Sequence, residues 1–127
     1  SMDFYPTFLE LAGLKPSDKP IDGESLLPLI RQTGKLKRKE LYFHFPNYAW
    51  HMGNRLAGAV RKGRWKLIRN YDDGSLELYD LGKDLGEKNN LAQAHPETAT
   101  RLDNGLTHWL KETDAPMPRP PKPSPKK

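Results

Sequence analysis

Four short extended segments follow one another between residues 41 and 79, and their spacing constrains the fold more than any other feature of the sequence. The predicted strands are 41–45, 56–61, 65–69 and 76–79. Short runs of turn-forming residues separate the later strands, and Lys62-Gly63 and Asp72-Asp73-Gly74 are the clearest, since Gly and Asp accept the positive φ that hairpin loops need. Strands joined by short connections predict an antiparallel meander, in which each strand pairs with its neighbour along the chain.

A helix is predicted before the strand region. Asp3 stands where a capping side chain is favoured, and Gly13 stands where a helix stops. The apolar residues between them recur at helical spacing and form one stripe. That stripe consists of Phe4, Phe8, Leu11 and Ala12. A polar loop and a short helical turn at 24–30 then lead to a basic run at 35–39.

A second helix is predicted from Pro96 to about Glu112. Its apolar residues form a face that suits the covering of one side of the sheet. That face consists of Ala99, Leu102, Leu106, Trp109 and Leu110. Gly105 within the helix costs about 1 kcal/mol relative to Ala. The fold class that we predict is α+β, a four-stranded antiparallel sheet covered by a C-terminal helix, with an N-terminal helix.

The positive charge of the chain is concentrated at its end. Residues 115–127 contain six prolines and no acidic residue, and we predict a disordered Pro/Lys-rich tail beyond a single domain at 3–114. The cations of this tail are Arg119, Lys122, Lys126 and Lys127. Without these four, the net charge of +5 falls to +1. This distribution argues against a footprint for a phosphate backbone, and we expect no nucleic-acid partner.

Cysteine is absent, and no apolar run approaches the length of a membrane span. The first observation excludes disulfides, thiolate metal sites and a cysteine nucleophile within this chain. The second predicts no membrane partner. Neither observation fixes a compartment, so the localisation stays open.

Four phrases of the sequence resemble, in the same order, the closing segments of bacterial sulfatases. They are DFYPTFLELAGL, DGESLLPLI, ELYFHFPNY and AVRKGRWKLIRNYDDGSLELYDLGKDLGEKNNLA. The family is of the arylsulfatase type, within the alkaline-phosphatase-like superfamily, and the similarity extends from Asp3 to about Leu110. It implies a small antiparallel sheet with a C-terminal helix beside a large α/β domain, which agrees with the fold predicted from periodicity.

The resemblance also implies that the catalytic groups lie outside this chain. Such sulfatases carry a Cys- or Ser-x-Pro-x-Arg motif, whose first residue becomes the formylglycine nucleophile, and an acidic calcium site. No Ser of this chain is followed at that spacing by Pro and Arg. Sulfate-ester cleavage needs an activated nucleophile and concentrated positive charge. We therefore expect a C-terminal fragment of a sulfuric ester hydrolase that is inactive alone and has no cofactor of its own.

The expected partner is the missing N-terminal sulfatase domain, which would hold the formylglycine and the calcium. The expected substrate of the full-length parent is a sulfated carbohydrate or an aryl sulfate. For the compartment of that parent, a periplasmic and a secreted location are the interpretations considered.

A substrate-binding role for the loop after the first strand follows from the same resemblance, because in related sulfatases this loop borders the mouth of the active site. It implies that His44, Asn47, Tyr48 and His51 bind the substrate in the full-length parent, with Tyr48 and Trp50 as a stacking face. A structural interpretation, with His44 as a satisfied strand histidine and Trp50 as a core residue, stays open. We predict no catalytic residue and no metal ligand, since the histidine spacing fits no zinc signature.

Two alternatives belong to other functional classes. One is a stand-alone interaction or carbohydrate-binding module, and the other is a basic nucleic-acid binder.

A subdomain separated from a larger partner should also expose an apolar face. Candidates for that face are Phe4, Phe8, Leu11, Phe43 and Phe45. We therefore expect self-association of the isolated chain, by the exchange of a helix between copies.

Overall fold

The structure, a computed structural model, describes residues 2–15, 20–47 and 53–119. The chain divides into two compact units, residues 1–39 and residues 40–127, and each is described by itself. In the part of the chain that the structure describes, no helix combines the length and the apolar character needed to cross a membrane.

The larger unit is built on a four-stranded antiparallel sheet. Its strands are β1 (Glu40–Phe45), β2 (Ala57–Lys62), β3 (Trp65–Asn70) and β4 (Leu76–Asp80). They lie in the order β1-β2-β3-β4, and each pairs antiparallel with its neighbour along the chain. The predicted meander is confirmed, and each strand begins and ends within one residue of its predicted bounds.

Glycine closes the two tight hairpins of this sheet. Gly63, between β2 and β3, has a φ of 57°, and Gly74, between β3 and β4, has a φ of 71°, a region that costs little without a Cβ. In the second turn, the Asp73 carboxylate accepts a hydrogen bond from the backbone N–H of Ser75 at 2.9 Å. Hydrogen bonds from the Ser75 side chain and backbone lower the pKa of Asp73. Turn chemistry therefore accounts for this acidic residue.

Helix α3 (Pro96–Glu112) covers one face of the sheet. Its inward residues pack on one valine and two leucines of the sheet, which lie opposite one another in adjacent strands. This core consists of Val60, Leu67, Leu78, Ala99, Leu102, Leu106 and Leu110. At its margin Trp109 stacks on Tyr42, with ring centroids 5.1 Å apart. The predicted covering helix is confirmed, and Gly105 does not interrupt it.

Gly58, in the middle of β2, makes room for a contact between the strands on either side. A Cβ at this position would collide with the hydroxyl of Tyr71 and would lie 3.1 Å from Cδ2 of Leu106. Gly58 is also the pairing partner of His44 in β1. Because glycine has no side chain, Tyr71 can reach across β2 to His44.

The smaller unit contains α1 (Phe4–Leu11) and α2 (Leu27–Ile30). Asp3 occupies the N-cap position of α1 but makes no side-chain capping hydrogen bond, so its predicted role is wrong. Its carboxylate instead accepts two hydrogen bonds from the Arg38 guanidinium, at 2.7 and 2.8 Å. It accepts a third from the backbone N–H of Glu24, at 2.9 Å. These contacts link α1 to the chain that precedes β1.

The apolar stripe of α1 is exposed. The helix buries Pro6 and Thr7, whereas Phe4, Phe8 and Leu11 keep 55%, 63% and 56% of their surface accessible. Phe4 and Phe8 stack on each other with ring centroids 6.0 Å apart. The 3.6-residue periodicity therefore predicted the stripe correctly, and the stripe is not covered by the unit that carries it.

Candidate functional site

The predicted substrate-binding residues fall at the end of β1 and in the loop that follows it. His44 lies within β1, and Asn47 lies two residues beyond the last residue of that strand. Tyr48 and His51, as well as Trp50, lie outside the described residues. The structure thus places His44 and Asn47 at one corner of the sheet.

Both ring nitrogens of His44 have hydrogen-bonding partners. Nε2 lies 2.9 Å from the carbonyl oxygen of Pro116, and Nδ1 lies 2.7 Å from the hydroxyl of Tyr71. Because a carbonyl oxygen only accepts, Nε2 carries the proton of the neutral ring, and Nδ1 accepts from Tyr71. Burial raises the pKa of Tyr71, which keeps its hydroxyl protonated as the donor. A ligand that bound to Nε2 would have to replace the Pro116 carbonyl.

Tyr71 holds both ends of the loop between β1 and β2. Its hydroxyl donates to His44, in the strand just before the loop, and its backbone N–H donates to the carbonyl of Leu56 at the end of the loop, at 2.8 Å. A third contact joins the two limbs, because the Asn54 side chain donates to the backbone carbonyl of Asn47 at 3.2 Å. The base of this loop is therefore fixed by the sheet and by the residue that follows β3.

The chain beyond α3 returns to the same corner, and we refer to residues 115–119 as the C-terminal strap. Asp114 has a φ of 47°, in the left-handed region, where the chain turns away from the helix axis. The backbone N–H of Ala115 then donates to the carbonyl of Leu110 at 3.0 Å. The strap and the start of the loop border a shallow depression of about 350 Å³. It is lined by Pro46, Asn47, Pro116, Met117 and Arg119.

This depression carries two exposed polar side chains, Asn47 and Arg119. The carboxamide of Asn47 both donates and accepts hydrogen bonds, which matches sugar hydroxyls. The guanidinium of Arg119 presents paired donors in one plane, a geometry that fits the oxygens of an oxyanion. Among residues 2–15, 20–47 and 53–119, no group of three or more His, Cys, Asp or Glu side chains could hold a metal ion. The chemistry that this corner offers is binding and orientation.

The sheet face opposite α3 presents aromatic side chains to solvent, and we refer to it as the aromatic face. Phe43 and Phe45 of β1 are 55% and 46% exposed. Together with Ile68 of β3 they border an apolar depression of about 480 Å³. Lys66 also borders it and is paired with Glu87 at 2.6 Å. The face is therefore apolar, with a neutralised ion pair beside it.

One further cation lies in an environment that the sequence did not indicate. This cation is Arg69 of β3. Its guanidinium faces α3 and donates to the carboxylate of Asp103 and to the hydroxyl of Thr107, each at 2.6 Å. The partners are 34 and 38 positions away along the chain, so no local pattern could have paired them.

Comparison with known proteins identifies the family. Residues 1–115 match the family described as N-sulphoglucosamine sulphohydrolase, C-terminal. The chain is 34% identical, over an alignment of 131 positions, to a sulfatase from Formosa agariphila, covering 91% of this chain and 24% of that protein. It is 41% identical over 97 positions to an N-acetylglucosamine-6-O-sulfatase from Bacteroides thetaiotaomicron, covering 72% of this chain and 17% of that protein.

A solved structure shares the fold with a TM-score of 0.70 and 33% sequence identity, covering 89% of this chain and 24% of that one. That protein was solved in complex with its substrate, D-glucosamine-2-N,6-O-disulfate. This chain thus shares its four-stranded meander and covering helix with a segment of that protein. The chain belongs to the N-sulphoglucosamine sulphohydrolase C-terminal family. It spans 17–24% of the length of these two curated relatives, and the resemblance drawn from the four phrases is confirmed.

Proposed function

We propose that this chain serves as the C-terminal subdomain of a sulfatase and forms one rim of the substrate site. The observation that carries this proposal is the corner where the β1–β2 loop is fastened by Tyr71 and His44. A rim residue must keep its position while substrates exchange, and fixed loop ends provide that. The corner also exposes a carboxamide and a guanidinium beside each other.

In this proposal the substrate is a sulfated carbohydrate. The support comes from relatives, one named an N-acetylglucosamine-6-O-sulfatase and one bound to a disulfated glucosamine. Asn47, Tyr48 and His51 bind the sugar, and His44 contacts it when the Pro116 carbonyl is displaced. An aryl sulfate is the second substrate class, and it would use the aromatic side chain of Tyr48.

The catalytic groups come from an N-terminal sulfatase domain that precedes this segment in the parent. A formylglycine and a calcium ion in that domain supply the nucleophile and the positive charge that sulfuryl transfer requires. The present chain supplies hydrogen-bonding groups and shape at the rim. It releases no sulfate by itself.

The exposed apolar surfaces are where this chain meets that domain. The α1 stripe and the aromatic face each expose phenylalanine rings, and contiguous apolar surface of this kind marks sites of association. When the chain is isolated, the same surfaces pair with those of another copy. Self-association is therefore expected of the isolated chain, and light scattering that shows a monomer at all concentrations would contradict it.

The test is a chimera in which this chain replaces the matching segment of the Bacteroides N-acetylglucosamine-6-O-sulfatase. We expect the chimera to release sulfate from N-acetylglucosamine-6-sulfate and the isolated chain to release none. Asn47→Ala in the chimera should raise KM several-fold with kcat little changed, because it removes a contact to bound substrate. Lys83→Ala, on a different exposed turn, is the matched control and should change neither constant.

Three results would overturn the proposal. Sustained sulfate release by the pure 127-residue chain would show that the catalytic groups are within it. A folded chimera in which Asn47→Ala has wild-type kinetics would remove the rim role of that residue. Tight glycan binding by the isolated chain, together with a folded but inactive chimera, would favour the stand-alone carbohydrate-binding module instead.

A further inference from the structure

The C-terminal strap borders a second depression besides the one at the candidate rim. It has a volume of about 390 Å³ and lies where α3 ends. Its apolar lining consists of Leu110, Ala115 and Met117, and its polar lining consists of Arg69, Thr107, Lys111 and Asp114. Met117 also lines the depression that carries Asn47. The two depressions are therefore neighbours that share a wall.

Arg69 enters this second depression as a donor whose position is already fixed. Its Nε donates to the carboxylate of Asp103, and its Nη2 donates to the hydroxyl of Thr107, each at 2.6 Å. The Thr107 hydroxyl donates in turn to the carbonyl of Asp103 at 2.9 Å. Only 19% of the Arg69 side chain is exposed. These contacts leave Nη1 for a ligand within the described part of the chain, and a donor held in this way loses little freedom on binding.

The charges around the second depression balance one another. Arg69 is neutralised by Asp103, and the two further charges, on Lys111 and Asp114, are exposed and opposite in sign. An anionic ligand would meet the Asp114 carboxylate as well as the Lys111 ammonium, so net attraction does not favour it. Hydroxyl groups suit both side chains, because a hydroxyl donates to a carboxylate and accepts from an ammonium or a guanidinium.

The apolar lining completes the chemistry of a sugar site. A pyranose ring carries hydroxyl groups at its edge and C–H groups on its faces, and Leu110, Ala115 and Met117 offer an apolar surface to such a face. Binding sites for small molecules combine a mostly apolar lining with a few placed polar groups in a volume of about 300–1,000 Å³. The second depression meets both conditions.

We propose that the second depression is a carbohydrate subsite, which takes an uncharged sugar residue next to the sulfated residue at the rim. The inference rests on the proposed function, because the rim beside Asn47 is where the sulfated residue lies. Ala115 lines the second depression and Pro116 lines the rim, so the strap runs between two adjoining sugars of one chain. A disaccharide should therefore bind more tightly than either monosaccharide, since its second contact forms within one complex.

Amide NMR spectra of the full 127-residue chain test the proposal. The probes are N-acetylglucosamine, N-acetylglucosamine-6-sulfate, glucuronic acid and the two singly 6-sulfated forms of N,N′-diacetylchitobiose. Uncharged N-acetylglucosamine should shift the amide signals of Leu110 and Ala115, and the sulfated monosaccharide should shift that of Asn47. One of the two disaccharides should shift all three, with an affinity at least about ten-fold above that of either monosaccharide.

A double variant removes the two exposed polar groups of the second depression. It carries Lys111→Ala, which keeps a good helix former, and Asp114→Asn, which tolerates the φ of 47° at this position. The matched control carries Arg101→Ala and Glu97→Gln, both exposed nearer the start of α3. The double variant should lose the response to N-acetylglucosamine and bind the disaccharide only as tightly as the sulfated monosaccharide. The control should behave as wild type, and far-UV circular dichroism checks that both are folded.

Four results would overturn the proposal: no response of Leu110 and Ala115 to N-acetylglucosamine, an unchanged response in the double variant, an equal loss in the control, or a stronger response to glucuronic acid. Disaccharides that bind no more tightly than monosaccharides would show that the depressions are not adjoining subsites. The outcome is separable from that of the proposed function. A silent Asn47 amide beside responding Leu110 and Ala115 would count against the rim, whereas the reverse would leave only this inference wrong.

Discussion

Each of the two units of this chain is stabilised by a different kind of internal interaction. In residues 40–119, leucine, valine and alanine side chains of the sheet and α3 are buried against one another, and Leu67, Leu78 and Leu106 have no accessible surface. In residues 2–15 and 20–39, Leu27 is buried, and the long-range side-chain hydrogen bonds centre on Asp3 and Arg38. The larger side chains of that unit, such as Phe8, are turned outward.

The difference shows what each unit can do alone. Burial of apolar surface is the dominant stabilising term in folding, and residues 40–119 obtain it from their own side chains. The unit around α1 uses ion pairs and hydrogen bonds, which contribute less in water, and it leaves its apolar stripe available for association. The unit that contains the sheet is therefore expected to be the more stable of the two in isolation, and the unit that contains α1 is expected to depend more on a partner.

The largest expected effect comes from emptying the core of the larger unit. Leu106→Ala should lower its free energy of unfolding by about 3 kcal/mol, because it removes buried contacts and leaves a cavity between α3 and the sheet. Urea denaturation followed by tryptophan fluorescence measures this change. Leu85→Ala, at a leucine that is 82% exposed, is the control and should stay within about 0.5 kcal/mol of wild type. Equal losses in the two variants would mean that the core is elsewhere.

Adding a single methyl group to β2 should have the next largest effect. Gly58→Ala places a Cβ against the Tyr71 hydroxyl and Leu106, and overpacking of this kind costs about 1–3 kcal/mol. Thermal unfolding measures the loss. Tyr71→Phe removes the closest atom, so the double variant should lose less stability than the sum of the two single variants. Strict additivity would contradict the proposed crossing of β2 by Tyr71.

Breaking the ion pair of the smaller unit should cost about 1 kcal/mol, since the pair is near the surface and water screens it. The hydrogen bond from Arg38 holds the pKa of Asp3 at about 2, below its ordinary 3.8. Because the pKa of Asp3 is lower in the folded unit than in the unfolded chain, the ionised carboxylate stabilises the fold at a pH above 3.8. This contribution is lost as the pH falls through about 2. The protection factors of the α1 amides, measured by NMR hydrogen exchange and corrected for the intrinsic exchange rate at each pH, should therefore fall between pH 5 and 2. In Asp3→Asn the protection factors should be lower at pH 5 and change little between these values.

Replacing the exposed ring of α1 should change stability least. Phe8→Ser is expected to alter the free energy of unfolding by less than about 0.5 kcal/mol, because the side chain is 63% exposed. The same variant should weaken self-association in light scattering, since it breaks the apolar stripe. Val60→Ser at a buried position is the contrasting control. A large loss of stability in Phe8→Ser with unchanged association would reverse the comparison between the two units.

The sequence predicted the elements of the larger unit because each depends on local information. Alternation, turn residues such as Asp73 and Gly74, and the 3.6-residue repeat from Ala99 to Leu110 determine where strands, turns and helices begin and end. His44 and Asn47 entered the candidate site through the family resemblance. What the sequence could not provide was the partner of each polar side chain.

Three residues illustrate that limit. Asp3 has the local signature of a helix cap, yet its carboxylate binds Arg38, 35 positions away. Arg69 shares the inward face of β3 with Leu67, but its partner in α3, Asp103, lies 34 positions away along the chain. Tyr71 was missed because it follows a strand without any motif of its own. The available signal was a glycine inside a strand, since Gly58 in β2 marks a place where another group comes close to the backbone.

Every strand pairing in the sheet joins neighbours along the chain, from β1 to β4. Such pairings close short loops, which costs little entropy and speeds folding. Each hairpin can therefore form soon after its second strand leaves the ribosome, and the nucleus need not wait for a distant segment. Helix α3, which follows all four strands along the chain, completes the apolar core, so a pause in translation before Pro96 would leave Val60, Leu67 and Leu78 open to aggregation.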